Sequence, residues 1–100
     1  MCFYCKDVLR NKVFTRNDCA RICFISDFLC IMTAEDELHQ YDLRLLRKDM
    51  NGSIYFKDSG VDLESVLMNT ENKPTIFKHR KSMWNLKDFI DYILSNMTEC

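Results

Sequence analysis

The clearest pattern of hydrophobic and polar positions lies near the end of the chain. Apolar residues recur there every three or four positions: Met83, Leu86, Phe89, Ile90, Ile93, Leu94 and Met97. This spacing places them on one face of a helix. Asp88 and Asp91 fall on the opposite face, and Ser82 is a candidate N-cap. The pattern predicts an amphipathic helix over about residues 83–97.

Two further helices are predicted in the first half of the chain. Asn17 or Asp18 can cap a helix that runs to about Met32, because apolar residues follow at helical spacing. They are Ile22, Cys23, Ile25, Phe28, Leu29 and Met32. Thr33 begins a second signal, since Thr33–Asp36 resembles a capping box. The apolar positions after it are Leu38, Tyr41, Leu45 and Leu46.

Short strands are predicted between the helix that begins at Thr33 and the C-terminal helix. Ser53–Lys57 and the segment beginning at Thr75 have the composition of strands, and turn signals flank the first of them. Residues 62–68 fit a short helix or an extended piece equally well. The pattern therefore indicates an α+β domain with three helices and a few short strands.

Length and charge narrow the class of protein. The chain has 100 residues, which is typical of one domain, and its net charge is -1, from 14 basic and 15 acidic side chains. A stand-alone DNA-binding domain usually carries a strong basic excess. Nucleic acid is therefore a weaker candidate partner than protein.

We expect neither a secretory signal nor a membrane span. Charged residues interrupt the N-terminal region, and the apolar stretch from Cys23 to Met32 is too short to cross a bilayer. Six cysteines without a signal favour a reducing compartment, where paired cysteines are more often metal ligands than disulfides. We therefore expect a cytoplasmic protein without a membrane partner.

The spacing of four cysteines predicts a structural zinc site. Cys2 and Cys5 are separated by two residues, and Cys19 and Cys23 by three. Zinc takes four ligands at tetrahedral corners, and a helix that begins near Cys19 would turn both thiolates of the second pair to one side. The prediction is a zinc-stabilised, treble-clef-like knuckle and helix over residues 1–32, followed by a helix and strand remainder over 33–100.

Other interpretations of the cysteines remain open. Cys19 and Cys23 also suit the core of a helix, with Cys2 and Cys5 as frayed thiols, and Cys30 is expected in the core. A disulfide or thiol redox role is a further alternative. No Gly-rich phosphate loop or catalytic triad is suggested by spacing, and four sulfur ligands leave zinc no open position, so no enzyme activity is expected.

A basic cluster, Lys78–Lys81, lies beside Trp84. It could contact phosphate or an acidic partner surface, although a solvated turn before a helix gives the same pattern. Tyr55, Phe56 and Phe77 fit cross-strand packing better than base stacking.

Several segments resemble the viral late transcription factor 2 family of poxviruses. The resemblance rests on Cys2-Phe-Tyr-Cys5, on Asp18-Cys-Ala-Arg-Ile-Cys23 and on the segment Leu45–Lys57, and it covers residues 1–68. It implies a role in late viral gene transcription with a viral RNA polymerase or transcription factors, in the host cytoplasm. Only Cys2, Cys5, Cys19 and Cys23 carry over as functional positions.

These observations predict a zinc-binding accessory factor of viral late transcription that acts by protein contacts. The alternatives are a zinc-containing adaptor that binds a host regulator and a small thiol redox protein.

Overall fold

A computed structural model describes residues 3–5, 7–71 and 73–99, the first three and Glu99 by their backbone alone. The strands are β1 (Phe3–Cys5), β2 (Val13–Arg16), β3 (Arg21–Ile25), β4 (Phe28–Met32), β5 (Leu38–Asp42), β6 (Leu46–Lys48), β7 (Ile54–Phe56), β8 (Ile76–His79), β9 (Ser82–Asn85) and β10 (Met97–Glu99). The helices are α1 (Asp7–Arg10), α2 (Leu63–Leu67) and α3 (Leu86–Ser95), and a 3₁₀ turn spans Leu43–Leu45.

The centre of the fold is a six-stranded antiparallel sheet in the order β5-β4-β3-β2-β8-β9. Strands β2 to β5 follow one another as a meander, whereas β8 and β9 add to the free side of β2. Two small antiparallel pairs, β1 with β10 and β6 with β7, lie outside this sheet.

One face of the sheet, here called the inner face, carries the hydrophobic core. Its strands contribute fully buried side chains such as Phe14, Phe24 and Phe77, and the three helices each add at least one more. Phe89 of α3 stacks on Phe77 with ring centroids 3.9 Å apart. Burial of such aromatic groups is the main stabilising term for a domain of this size.

The C-terminal amphipathic helix is confirmed, but it begins later and ends earlier than the predicted range of about 83–97, since Met97 belongs to β10. The Asn85 side chain accepts a hydrogen bond from the Asp88 N–H and caps α3, whereas Ser82 and Met83 belong to β9. The short strands predicted near 53–57 and 75–78 correspond to β7 and β8, and the undecided segment 62–68 contains α2.

The helix predicted from Asn17 or Asp18 to Met32 is wrong. Residues 21–32 form the β3–β4 hairpin instead, closed by the two-residue turn Ser26-Asp27 with Ser26 at φ 54°. Because the protein is mostly antiparallel sheet and the second cysteine pair does not lie on a helix, the zinc-stabilised treble-clef prediction is also wrong. The apolar residues between 22 and 32 that have helical spacing lie on β3 and β4, where each side chain points to one of the two faces of the sheet.

The second helix, predicted from Thr33, is likewise a strand region. Thr33 Oγ1 accepts a hydrogen bond from the Glu37 N–H, but this contact closes a loop in which Asp36 takes φ 64°. Strand β5 follows this loop and pairs with β4. The segment Thr33–Asp36, which resembles a helix capping box, therefore forms a turn instead. Thr and Asp side chains accept hydrogen bonds from backbone N–H groups in turns as well as at helix ends.

Candidate functional site

The face of the sheet opposite the core, here called the outer face, has no helix packed on it in the part of the chain described. Strand alternation and register place eight side chains around one cavity of about 400 Å³ on this face. They are Val13, Arg21, Cys23, Ile25, Cys30, Met32, Leu38 and Gln40.

The outer face is unusually apolar for a surface that meets solvent. Strand β4 reads Phe-Leu-Cys-Ile-Met, with no polar residue at any of its positions. An antiparallel sheet with one solvated face normally alternates apolar and polar residues, and a continuous apolar strand is typical of burial on both faces. Val13, Ile25 and Leu38 are nevertheless 50%, 60% and 52% exposed. This mismatch between composition and exposure points to an interaction surface.

Strand β5, at one edge of the sheet, leaves backbone groups free beside this face. The Thr33 N–H donates to the Glu37 carbonyl at one end of the β4–β5 pair, and the Leu43 N–H donates to the Asp27 carbonyl at the other. Hydrogen-bonded and non-hydrogen-bonded pairs alternate along an antiparallel ladder. The N–H and C=O groups of Leu38, Gln40 and Asp42 therefore point away from β4, toward the open edge.

Edge strands of natural proteins usually carry features that prevent pairing with other chains. Lysine, proline, bulges and inward-pointing charges are the common ones. Strand β5 reads Leu-His-Gln-Tyr-Asp and pairs with β4 without a bulge over all five residues. It has none of the first three protections, so its edge is open to an added strand.

The charge of the outer face is positive. Arg21 lines the cavity, and Lys78 lies on the same face through the register Arg21–Thr15–Lys78. No ion pair joins either cation to a carboxylate within the described residues. Asp42, the acidic residue next to Gln40 on this face, is neutralised by Arg44 at 2.8 Å, and that pair lowers the pKa of Asp42.

Two cysteines meet in the middle of the outer face. Cys23 of β3 and Cys30 of β4 are directly opposite in the register. Burial raises the pKa of the Cys23 thiol, and the charge of Cys30 and a hydrogen bond between the two thiols raise it further. The Gln40 amide contacts the Cys30 sulfur at 3.9 Å. The sequence predicts Cys23 as a zinc ligand and Cys30 in the core, whereas cross-strand pairing brings the two together.

Of the four predicted zinc ligands, the structure describes the side chains of Cys19 and Cys23. Cys2 lies outside the described residues, and Cys5 belongs to β1, which pairs with the strand of the core residue Met97. Cys19 is exposed in the β2–β3 turn, while Cys23 faces the outer side with Cys30. Among the side chains of residues 7–71 and 73–98, no three His, Cys, Asp or Glu residues form a metal-binding group. The four-cysteine zinc site therefore stays a prediction, because the side chains of Cys2 and Cys5 lie outside the described part of the chain.

The predicted basic cluster forms the tip of the β8–β9 hairpin. Arg80 and Lys81 occupy its turn, with Arg80 at φ 56°. His79 contacts the Val13 carbonyl through Nδ1 at 3.1 Å. Trp84 packs against Phe14, with ring centroids 5.7 Å apart, rather than standing free beside the cations. This arrangement agrees with a solvated turn.

A second cleft, about 570 Å³, lies between α2, the segment before β8 and α3. Its rim carries Glu64 and Asp91 together with Lys73 and Lys87. The mixed charges select no particular ligand, so the outer face is the better candidate site. Sequence analysis missed that face because its residues were assigned to helices, although the unbroken apolar run Phe28–Met32 was a signal for a strand.

No helix in the described part of the chain is long and apolar enough to span a membrane; the longest, α3, has 10 residues. No family model, curated protein or solved structure matches this chain.

Proposed function

We propose that this protein is a binding module that captures an extended segment of a partner protein along β5 and the outer face. The observation that carries this proposal is the open edge of β5 beside an apolar face that nothing in the described chain covers. An added strand gains main-chain hydrogen bonds from the edge and places alternate side chains over the face. These two features together favour a strand over a helix as the occupant.

Charge selects the composition of that segment. Arg21 and Lys78 are the cations of the outer face without a carboxylate partner among the described residues, and Arg44 already neutralises Asp42. A segment that alternates apolar residues with Asp or Glu would cover the half-exposed Val13, Ile25 and Leu38 and supply the missing negative charge. The proposed occupant is therefore an apolar and acidic extended peptide.

A variant that blocks the edge and spares the fold gives the sharpest test. The Gln40 N–H points outward, so Gln40→Pro removes a donor needed by an added strand and leaves the β4–β5 ladder intact. Gln40→Thr keeps the donor and is the matched control. Peptides of 12 residues selected from a random display library against the wild-type chain are then measured by fluorescence anisotropy with all three proteins.

The expected result is selection of alternating apolar and acidic peptides that bind wild type and Gln40→Thr alike. Affinity should fall at least about tenfold in Gln40→Pro and in Leu38→Glu, since the first loses a main-chain hydrogen bond and places its ring at the edge, and the second replaces an apolar contact by a charge. Equal binding to Gln40→Pro would show that the edge is not used. A concentration-dependent dimer in light scattering, abolished by Gln40→Pro, would show that a second copy occupies the edge and would refute the proposed occupant.

A partner in viral transcription remains a prediction of the resemblance. A polymerase subunit or transcription factor with an apolar and acidic strand would satisfy both the resemblance and the chemistry of the outer face. Purification of the tagged chain from infected cells, with Gln40→Pro as the negative control, identifies the partner. Zinc binding stays a prediction as well, and native mass spectrometry of the purified chain measures it.

A further inference from the structure

The Cys23–Cys30 pair has the arrangement of a two-sulfur ligand. Side chains directly opposite in an antiparallel sheet have Cβ atoms about 4.5–5.5 Å apart, so two sulfurs can approach one ion between them. Cys23 is partly exposed and Cys30 is 1% exposed, and both line the cavity of the outer face. An ion can therefore reach the pair from solvent without opening the sheet.

Apart from the Gln40 amide, whose nitrogen contacts the Cys30 sulfur, the side chains around the pair offer only a soft donor. Met32 lies two residues after Cys30, on the same face of β4, and lines the same cavity. No Asp, Glu or His is among the lining residues. Oxygen-seeking ions such as Mg²⁺ and Ca²⁺ have no carboxylate here, and structural zinc sites take four ligands. Thiolate and thioether ligands favour Cu(I), zinc and iron–sulfur clusters, and since the last two take four protein ligands, Cu(I) fits a site of two thiolates and one thioether best.

We propose that Cys23 and Cys30 bind one thiophilic monovalent cation of the Cu(I) class, with the Met32 thioether as a third ligand. Binding replaces the two thiol protons by one metal ion, so two protons are released and the site gains a net charge of -1. Arg21 stands across the ladder from Met32 and lines the same cavity, where its positive charge balances the complex. The ion stays monovalent throughout, and the reaction needs no oxidant.

This site shares Arg21 and the cavity of the outer face with the proposed peptide, but it uses different groups for binding. The edge uses the backbone of Leu38, Gln40 and Asp42, whereas the metal site uses side chains of β3 and β4. Gln40→Pro and Gln40→Thr both lose the amide that contacts the Cys30 sulfur, so they should have the same copper affinity, whereas only Gln40→Pro should lose the peptide. Each proposal can fail without the other.

The test measures Cu(I) affinity of the reduced full-length chain without oxygen, by competition with the chelator bathocuproine disulfonate. Cys2→Ser and Cys5→Ser are introduced throughout, because that pair could also bind copper. We expect one Cu(I) per chain and sulfur-only ligation by X-ray absorption. Cys23→Ser and Cys30→Ser should each lower the affinity at least about 100-fold, since a lost ligand should matter at least as much as a lost outer-shell partner.

Controls separate ligation from folding. Cys19→Ser removes an exposed thiol outside the cavity and should leave the affinity unchanged, whereas Met32→Leu keeps the volume and should lower it about tenfold. Because Cys30 is buried, Cys30→Ala is a second variant, and circular dichroism checks that each protein is folded. Copper should raise the melting temperature of the parent chain and not of the cysteine variants. Unchanged copper affinity in a Cys23→Ser, Cys30→Ser double variant would overturn the proposed site. Unchanged copper affinity in Met32→Leu would show that the Met32 thioether is not a ligand.

Discussion

Arg16 and Asp18, on either side of Asn17 in the β2–β3 turn, form a buried bidentate ion pair in which both N···O distances are 2.7 Å. The two side chains are only 4% and 7% exposed. Arg16 also donates through Nη1 to the carbonyls of Leu67 and Met68, which end α2. The pair therefore ties a turn of the sheet to the helical layer, and it satisfies carbonyl groups that a helix end leaves unpaired.

The first prediction concerns the loss of this pair. Asp18→Asn leaves the buried Arg16 guanidinium without a counter-charge, and we expect a loss of about 3 kcal/mol in the free energy of unfolding, measured by urea denaturation. Glu71→Gln, which removes the exposed partner of Lys73, is the matched control and should cost less than about 1 kcal/mol. Equal effects of the two substitutions would contradict a special role for the buried pair.

The second prediction is a dependence of stability on acid. Burial alone would raise the pKa of Asp18, but hydrogen bonds from Arg16 and from the backbone N–H groups of Ala20 and Thr70 outweigh it and lower the pKa to about 2. A carboxylate with a lowered pKa in the folded state contributes stability above its unfolded pKa, near 3.8, and loses it as the pH falls toward 2. We expect a loss of about 2 kcal/mol over this window.

Urea titrations at several pH values between 2 and 6 measure this loss. Asp18→Asn has no carboxyl group to protonate at this position, so its stability should fall less than that of the wild type over the same range. Parallel curves for the two proteins would show that other carboxylates cause the acid dependence.

The first half of the chain shows why a helix was predicted where a hairpin forms. Strand β4 is apolar at every position and β3 at most, so the run Ile22–Met32 satisfies helical spacing as well as two strand faces. The turn between the strands has Ser26 at φ 54° rather than the expected Gly or Asn, which hides the hairpin signal. Asn17 and Asp18, typical helix caps, instead form hydrogen bonds with Pro74 and Thr70, respectively.

The second half was easier to predict because each of its hydrophobic patterns fits either a helix or a strand, but not both. Helix α3 has one apolar face and one polar face, and the strands β7 and β8 are short runs flanked by turn residues. The candidate site was not predictable in the same way. The pairing of Cys23 with Cys30 depends on the register of the hairpin, which spacing along the chain does not fix.

The third prediction uses the strained turn of the β8–β9 hairpin. Arg80 takes φ 56°, a conformation that costs an L-residue about 1–2 kcal/mol, whereas glycine adopts it freely. Since glycine also loses more entropy on folding, we expect Arg80→Gly to raise the free energy of unfolding by about 0.5 kcal/mol. Lys81→Gly, at the neighbouring position with negative φ, is the control and should lower it by a similar amount. A stabilising Lys81→Gly would contradict the turn geometry.

The last prediction concerns Cys19, where zinc ligation and the exposed turn position lead to different expected effects on stability. As a zinc ligand, Cys19 would be essential, because loss of one thiolate weakens a site whose binding energy is folding energy. In the structure, Cys19 is exposed at φ 70°, and its N–H donates to the Arg16 carbonyl whatever the side chain. Cys19→Ser should therefore change the free energy of unfolding by less than about 0.5 kcal/mol. Cys19→Asn should stabilise slightly, since asparagine tolerates this backbone conformation better. Thermal and urea unfolding, with and without EDTA, measure both effects, and a loss above about 2 kcal/mol in Cys19→Ser would favour metal ligation over the exposed turn.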